Sequence, residues 1–299
     1  MITQEIISSP SDRLRDRLSD IKEKYQQHQG EEAVKHQEQR YNEKINYLYV
    51  AGESPRDLIV FVHPLGMNRH VWDETIAAFE SQYDLLAIDL PGHGNSPAPS
   101  EDEQWRIESL AEMVLGLVDQ LGYQRFHYVG TSIGGAIGQE ILLLAPERVK
   151  SLMITNSSHK IGETAAWESR AADVRQIGLA KMAPTIVPRW FADDYLETAT
   201  SEIENWQRSL AATSNEGYAQ LCEALGAWSA TDRLPSRDSS IPVLSLAGSE
   251  DKAMALSNME QLADLMGDRA LKVLAVGHVP SVEAPDAFNQ ILVEWLEAK

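Results

Sequence analysis

Phe126-His127-Tyr128-Val129-Gly130-Thr131-Ser132-Ile133-Gly134-Gly135 passes from a short apolar run into a serine flanked by glycines, and then into a helical pattern that reaches Leu144. The five residues from Gly130 match G-x-S-x-G, and their placement between a buried strand and a helix matters more than the match. A serine at such a corner stands clear of the backbone. Small flanking residues permit the strained turn, and the N-terminus of the following helix favours negative charge developing nearby.

Outward from this corner, strands and helices alternate. Upstream lie the strand-like runs Ile45–Val50, Leu58–His63 and Leu85–Asp89, with helical stretches at Trp72–Glu80 and Ser109–Leu121; Val149–Thr155 follows downstream. This rhythm predicts an α/β fold with a mostly parallel central sheet flanked by helices. Between residues 157 and 235 the strand signal vanishes, and Trp167, Val174, Ile177, Met182, Trp190, Phe191, Trp206 and Leu210 mark an inserted helical cap. The sheet resumes with Pro242–Ala247 and Leu271–Val276 and closes with a helix over Asp286–Ala298. The expected organisation is a core of residues 45–156 and 236–299, the cap 157–235, and an N-terminal helical extension 1–44. In that extension Leu14, Leu18, Ile21 and Tyr25 form one stripe of a helix beginning at Ser11 or Asp12 and ending near Gly30.

A serine hydroxyl becomes a nucleophile only when a base takes its proton and an acceptor orients that base. His278 follows strand Leu271–Val276 in Gly277-His278-Val279-Pro280, and Asp251 follows strand Pro242–Ala247 in Gly248-Ser249-Glu250-Asp251. Glu250 competes with Asp251 for the orienting role. The end of the strand before the cap, where an acid would also serve, reads Asn156, which cannot ionise. Donors for a developing oxyanion are expected at the backbone N–H groups of Ile133 and of Leu65, the latter in the loop His63-Pro64-Leu65-Gly66; Pro64 has no N–H to give. His63 is expected to brace that loop. The glycine-rich run Asp89–Ser96 lacks the lysine and the spacing of a phosphate cradle and reads as a structural turn.

The charge balance bears on partners. The 299 residues carry 45 acids against 26 Lys and Arg, a net charge of −19, which weighs against nucleic-acid and anionic-membrane partners. Residues 1–44 contribute only −1 of this, so the acidity belongs to the body of the molecule. The lone Cys222 can form no intrachain disulfide, and the N-terminus shows no apolar signal core, so the cytoplasm is the expected compartment. No H-E-x-x-H or cysteine pair is present; neither a metal nor another cofactor is expected.

From Ile45 to Lys299 the sequence resembles the α/β-hydrolase family, and within it is most similar to 3-oxoadipate enol-lactonases. The segments that carry the likeness are His63–Asp73, Gly130–Gly135, Thr155–Gly162 with Trp167, Arg170, Val174 and Gly178, then Arg189-Trp190-Phe191 and Gly217–Cys222. The resemblance implies hydrolysis of a small-molecule lactone or ester by a Ser132, Asp251 and His278 triad through an acyl-enzyme, with Leu65 and Ile133 at the oxyanion hole. Pro64 and Pro91 depart from the family pattern, as do residues 1–44. A carboxylesterase or a lactonase for another ring would use the same residues, and a slow-turnover ligand receptor of the same fold would keep them. A substrate carboxylate would need a cation, and the segment 160–189 holds Lys160, Arg170, Arg175, Lys181 and Arg189 with a net charge of +2. Of these, Arg189 is the expected substrate-binding residue, with Trp190 beside it either lining the cavity and meeting the substrate or packing the cap. The N-terminal helix and the cap are the two surfaces offered for a homodimer.

Overall fold

The computed structural model describes residues 5–7, 34–268 and 271–298. Its strands are β1 (Glu5–Ile7), β2 (Lys35–Tyr41), β3 (Ile45–Ala51), β4 (Leu58–Val62), β5 (Asp84–Ile88), β6 (Phe126–Thr131), β7 (Val149–Thr155), β8 (Val243–Gly248) and β9 (Lys272–Leu274). They form one sheet in the order β1-β9-β8-β7-β6-β4-β5-β3-β2. Every pairing is parallel except those of β3 with β2 and with β5. β4, β5, β6 and β8 are buried at every position, as central strands covered on both faces must be. Their apolar runs were therefore readable as strands by length, without any alternation.

The sheet is flanked by α1 (Asp73–Phe79), α2 (Ile107–Gln120), α3 (Ile133–Leu144) and, after the cap, α9 (Leu256–Leu265), α10 (Pro280–Glu283) and α11 (Pro285–Glu297). The cap, inserted between β7 and β8, consists of α4 (Thr164–Ile177), α5 (Leu179–Ile186), α6 (Asp193–Thr198), α7 (Thr200–Ala212) and α8 (Asn215–Ala227). Trp72 locks one flank of the core: its ring centroid lies 5.3 Å from that of Phe61 on β4 and 5.9 Å from that of Phe288 on α11.

One expectation needs correction. Two strands, β1 and β2, fall inside the stretch assigned to a helical extension, so the sheet starts before Ile45. Lys35–Tyr41 gives no alternating signal because it is an exposed edge, paired through its backbone to β3 alone among the described residues. The connecting turn places Asn42 and Glu43 at φ 50° and 61°, left-handed values that suit a tight hairpin, but Glu in place of the usual glycine hides the turn from a sequence reading. The helix expected over residues 11–30 lies outside the described residues.

The cap meets the core through a few main-chain bonds. Ser214 N donates to Gly92 O at 3.0 Å and His278 N to Trp190 O at 2.7 Å, while within the cap Ala230 N donates to His159 O at 2.8 Å. At the cap's exit, Glu140 of α3 is fully buried and accepts from Trp228 Nε1 at 2.9 Å and from both terminal nitrogens of Arg233 at 2.8 Å. A fork of this kind fixes the direction in which the chain leaves the cap.

Candidate active site

Ser132 sits at the corner between β6 and α3 with φ 58° and ψ −116°, a conformation that non-glycine residues avoid and that costs on the order of 1–3 kcal/mol. The surroundings hold it there. Ser132 N donates to Thr155 O at 3.0 Å, and Ser132 O accepts from Ala136 N at 3.0 Å and from Ser157 Oγ at 2.8 Å. The flanking glycines are required by close approach: a Cβ on Gly130 would lie 2.4 Å from Gly134 O, and one on Gly134 would lie 2.2 Å from Val62 O. Any larger residue at either position would push the corner off the end of the sheet.

Two and three strands away, the loops after β8 and β9 bring Asp251 and His278 together. His278 Nδ1 lies 2.6 Å from Asp251 Oδ2, both side chains being almost entirely buried. The carboxylate takes three further donors: Asn156 Nδ2 at 2.8 Å on the same oxygen, and the N–H groups of Ala253 and Met254 at 2.7 and 2.9 Å on Oδ1. Burial works to raise the Asp251 carboxyl, but the His278 imidazole beside it and the hydrogen bonds from His278, Asn156 and Met254 outweigh this and hold it below the usual carboxylate range. An ionised carboxylate can only accept, so the proton of the short bond sits on His278 Nδ1 and the lone pair of Nε2 is left for base chemistry. Glu250, the competitor, is exposed and makes no bond to His278 among the described residues. Nor are Ser132 Oγ and His278 Nε2 bonded to each other among those residues; such contacts are commonly looser before substrate binds.

The loop after β4 is braced as expected. Leu90 N donates to His63 Nε2 at 2.9 Å, which places the ring proton on Nδ1, and Nδ1 donates to Pro64 O at 2.8 Å. Burial pushes His63 down to about 4, so the ring is neutral at pH 7. Gly66 follows with φ 84°, and among the described residues no carbonyl takes the N–H of Leu65 or of Ile133. Such unspent donors are what a developing oxyanion requires.

Over this loop lies the inner wall of the cap. Gly66 packs against the rings of Trp190 and Tyr218 and the Leu210 side chain, all three buried. Trp190, expected either to line a cavity or to pack the cap, is buried against Gly66 of this loop. Arg189 is not where it was expected: it is exposed and spends an N–H on Lys252 O at 3.3 Å. The half-buried Arg170 of α4 is turned inward instead, its guanidinium against the Tyr218 hydroxyl. Burial, and next the Cys222 thiol, raise that hydroxyl, while Arg170 and the more distant charge of Arg189 oppose them. Lys160 and Arg175 are paired with carboxylates, Lys160 with Glu163 and Arg175 with Glu216 and Glu223. Three residues of this site went unnoticed as such in the sequence: Tyr218, Asn156 as a donor, and Glu283, whose Oε2 accepts from Gly277 N at 3.1 Å and Ala192 N at 3.2 Å.

Residues 57–180 match the family described by the alpha/beta hydrolase fold. The chain is 36% identical over 238 residues to 3-oxoadipate enol-lactonase 2 of Acinetobacter baylyi, covering 80% of this chain and 88% of that one. It is 31% identical over 249 residues to 3-oxoadipate enol-lactonase 1 of the same organism, covering 83% and 92%. Among solved structures, the enol-lactonase from Burkholderia xenovorans LB400 superposes with a TM-score of 0.81 at 28% identity, over 87% of this chain and all of that one.

Proposed function

From the premise that this chain belongs to the α/β-hydrolase family and is a hydrolase of ester bonds, we propose that it opens a lactone ring by serine catalysis, with a 3-oxoadipate enol-lactone or a close analogue as substrate. The observation that carries the catalytic reading is the combination of a strained Ser132 at the β6–α3 corner with the 2.6 Å Asp251–His278 pair at neighbouring strand ends. Substrate identity is supported by the two enol-lactonase relatives, each matched over most of its length.

In this scheme His278 Nε2 takes the proton of Ser132 Oγ as that oxygen attacks the lactone carbonyl. The Leu65 and Ile133 N–H groups hold the oxyanion, each worth about 3 kcal/mol of barrier when preorganised. Collapse breaks the ring C–O bond. The enol oxygen leaves with the proton from His278 and gives the keto form on tautomerising, while the acyl group stays on Ser132. Water, deprotonated by the same histidine, then releases the acid, and Asp251 keeps the ring in its tautomer throughout. In this scheme the substrate carboxylate finds its cation at Arg170, beside the Tyr218 hydroxyl.

The deciding experiment is a turnover panel of enol-lactones, saturated lactones and simple esters with wild type and Ser132→Ala. The expected result is preference for the carboxylate-bearing enol-lactone and a loss of at least about a thousandfold in kcat for the alanine variant. Full turnover by Ser132→Ala would sink the acyl-enzyme scheme and leave direct attack by water activated at His278.

A further inference from the structure

We infer that Asn156, a residue with no proton to exchange, is the positioning residue that sets the aim and charge state of the Asp251–His278 pair. The inference rests on the triad reading above and extends it to a fourth side chain.

Three observations lead there. Asn156 follows β7 directly, and its neighbour Thr155 accepts the Ser132 N–H at 3.0 Å while Asn156 N itself donates to Leu246 O of β8 at 3.1 Å. Its amide then reaches both remaining partners: Nδ2 donates to Asp251 Oδ2 at 2.8 Å and to Gly277 O, one residue before His278, at 3.2 Å. One buried side chain thus touches the acid, the loop of the base and, through its neighbour, the corner of the nucleophile. Second, the amide is used from its donor end alone. Its Oδ1 is buried without a partner among the described residues, an arrangement that costs about 1–3 kcal/mol and is retained beside the site. Third, the backbone at Asn156 is left-handed, φ 46°, where glycine and asparagine are the residues that fit best.

That third fact supplies the competing explanation: asparagine here simply fills a left-handed corner. The two accounts part at glycine. A corner-filling residue is replaced by glycine without loss, because glycine adopts this φ freely. A donor is not. Without Nδ2, Asp251 Oδ2 faces His278 alone, the carboxylate is free to rotate off the imidazole axis, and its charge is less neutralised by neighbouring dipoles. It then holds the protonated ring more tightly, so that the base becomes available only at higher pH. Aspartate at 156, equal in size, shares a proton with Asp251 at low pH and adds a second negative charge only once ionised, so it drives the same change further as pH rises.

The test is the pH dependence of kcat/KM and kcat on a nitrophenyl ester for full-length wild type, Asn156→Gly and Asn156→Asp, with Ser132→Ala and Asp251→Asn as references. Thermal melting and the low-field NMR resonance of the His278 Nδ1 proton are followed in parallel. For Asn156→Gly, kcat is expected to fall about tenfold to a hundredfold with KM within about twofold, as for a misaimed catalytic group. The acid limb is expected to rise by about half a pH unit in Asn156→Gly and about one unit in Asn156→Asp, and the Nδ1 resonance to move in both. Wild-type kcat, an unmoved acid limb and an unmoved resonance in Asn156→Gly would overturn the inference and leave a corner-filling residue. Should Ser132→Ala and Asp251→Asn abolish turnover while both Asn156 variants behave as wild type, the inference alone falls. Should those references stay active, the triad reading falls and takes the inference with it.

Discussion

Around Ser132, Asn156, Asp251 and His278 most polar groups are buried and answered by fixed partners, Asn156 Oδ1 excepted, so that removing one strands another in a place water does not reach. Across the seam, the cap's ion pairs lie on the surface, the pair of Arg233 with buried Glu140 excepted. Arg175 with Glu216 and Glu223, Arg208 with Glu204 and Lys160 with Glu163 are open to solvent, and each pair is worth less than about 1 kcal/mol. The cap is held by apolar packing, a few main-chain bonds and the bonds of Trp228 and Arg233 to Glu140; the site beneath is held by buried hydrogen bonds that cannot be exchanged one at a time. In the proposed scheme chemistry and selectivity therefore sit on different kinds of physical support. The first tolerates little change, whereas the cap can be resculpted without unmaking the corner that carries Ser132.

His93 lies on the seam and offers the sharpest way to separate the two. Its ring is fully buried, stacks on Tyr218 of the cap at 6.1 Å, and lies 5.6 Å from the His63 ring of the core. Burial, and secondarily His63, push His93 down to about 3. A depressed imidazole means that the unfolded chain binds the proton first. Stability is therefore complete above the unfolded value of 6.5 and is lost as pH falls from there towards about 3. At about pH 4.5 the loss through this one ring comes to about 3 kcal/mol. His93→Phe keeps the stack and removes the titration, giving up the bond of Nδ1 to Pro91 O at 2.9 Å. Urea midpoints should show the variant about 1 kcal/mol less stable at pH 7, from the lost hydrogen bond, and more stable than wild type at about pH 4.5. Parallel curves at the two pH values would mean that the seam is wet enough for the ring to be protonated in the folded state.

How much of this was legible beforehand follows the same divide. Ser132, Asp251 and His278 each follow a buried apolar strand, and the ends of such strands can be located from hydrophobic runs and glycine alone. Asn156 was visible as a strand end yet not as a donor, because its reach to Asp251 and Gly277 depends on the register of β7 against β8, and register is a property of the assembled sheet. β2 carried no pattern to read, being polar and exposed on an edge. In the cap, α4 buries only Ala171 and Val174, so no apolar stripe disclosed which of its arginines would turn inward. Arg189 was expected to face the substrate and is exposed; Arg170 is the arginine turned towards the buried Tyr218 hydroxyl.

That exchange yields the next comparison. If the cap supplies selectivity and the core supplies chemistry, removing the inward cation should change one and spare the other. Arg170→Ala is expected to raise KM for a carboxylate-bearing lactone about tenfold, about 1.4 kcal/mol of binding, with kcat within about twofold. KM for an uncharged ester of similar size should stay unchanged. Equal effects on both substrates would show that Arg170 holds Tyr218 in place and does not meet the substrate's charge.

The smallest effect is expected where the two regions are tied together. Glu283 accepts from Gly277 N on the catalytic loop and from Ala192 N in the cap, and burial, with the Glu250 charge adding to it, raises its carboxyl although those two N–H bonds and Lys252 pull the other way. For a raised carboxyl the folded protein binds the proton more tightly than the unfolded chain. Its contribution to stability is thus present below the ordinary value of 4.5 and declines as pH rises through the folded value. Glutamine retains an oxygen for both N–H groups and carries no charge. Glu283→Gln should therefore match wild type at about pH 4 and be more stable at pH 7, by less than about 1 kcal/mol because the partly exposed site is screened by water. Its kcat should stay within about twofold of wild type, since His278 N still donates to Trp190 O. The opposite sign at pH 7, a glutamine variant weaker than wild type, would make the charge itself the tie. The cap and the His278 loop would then be joined by an electrostatic contact, and the line drawn between packing on one side and fixed hydrogen bonds on the other would have to be moved to include residue 283.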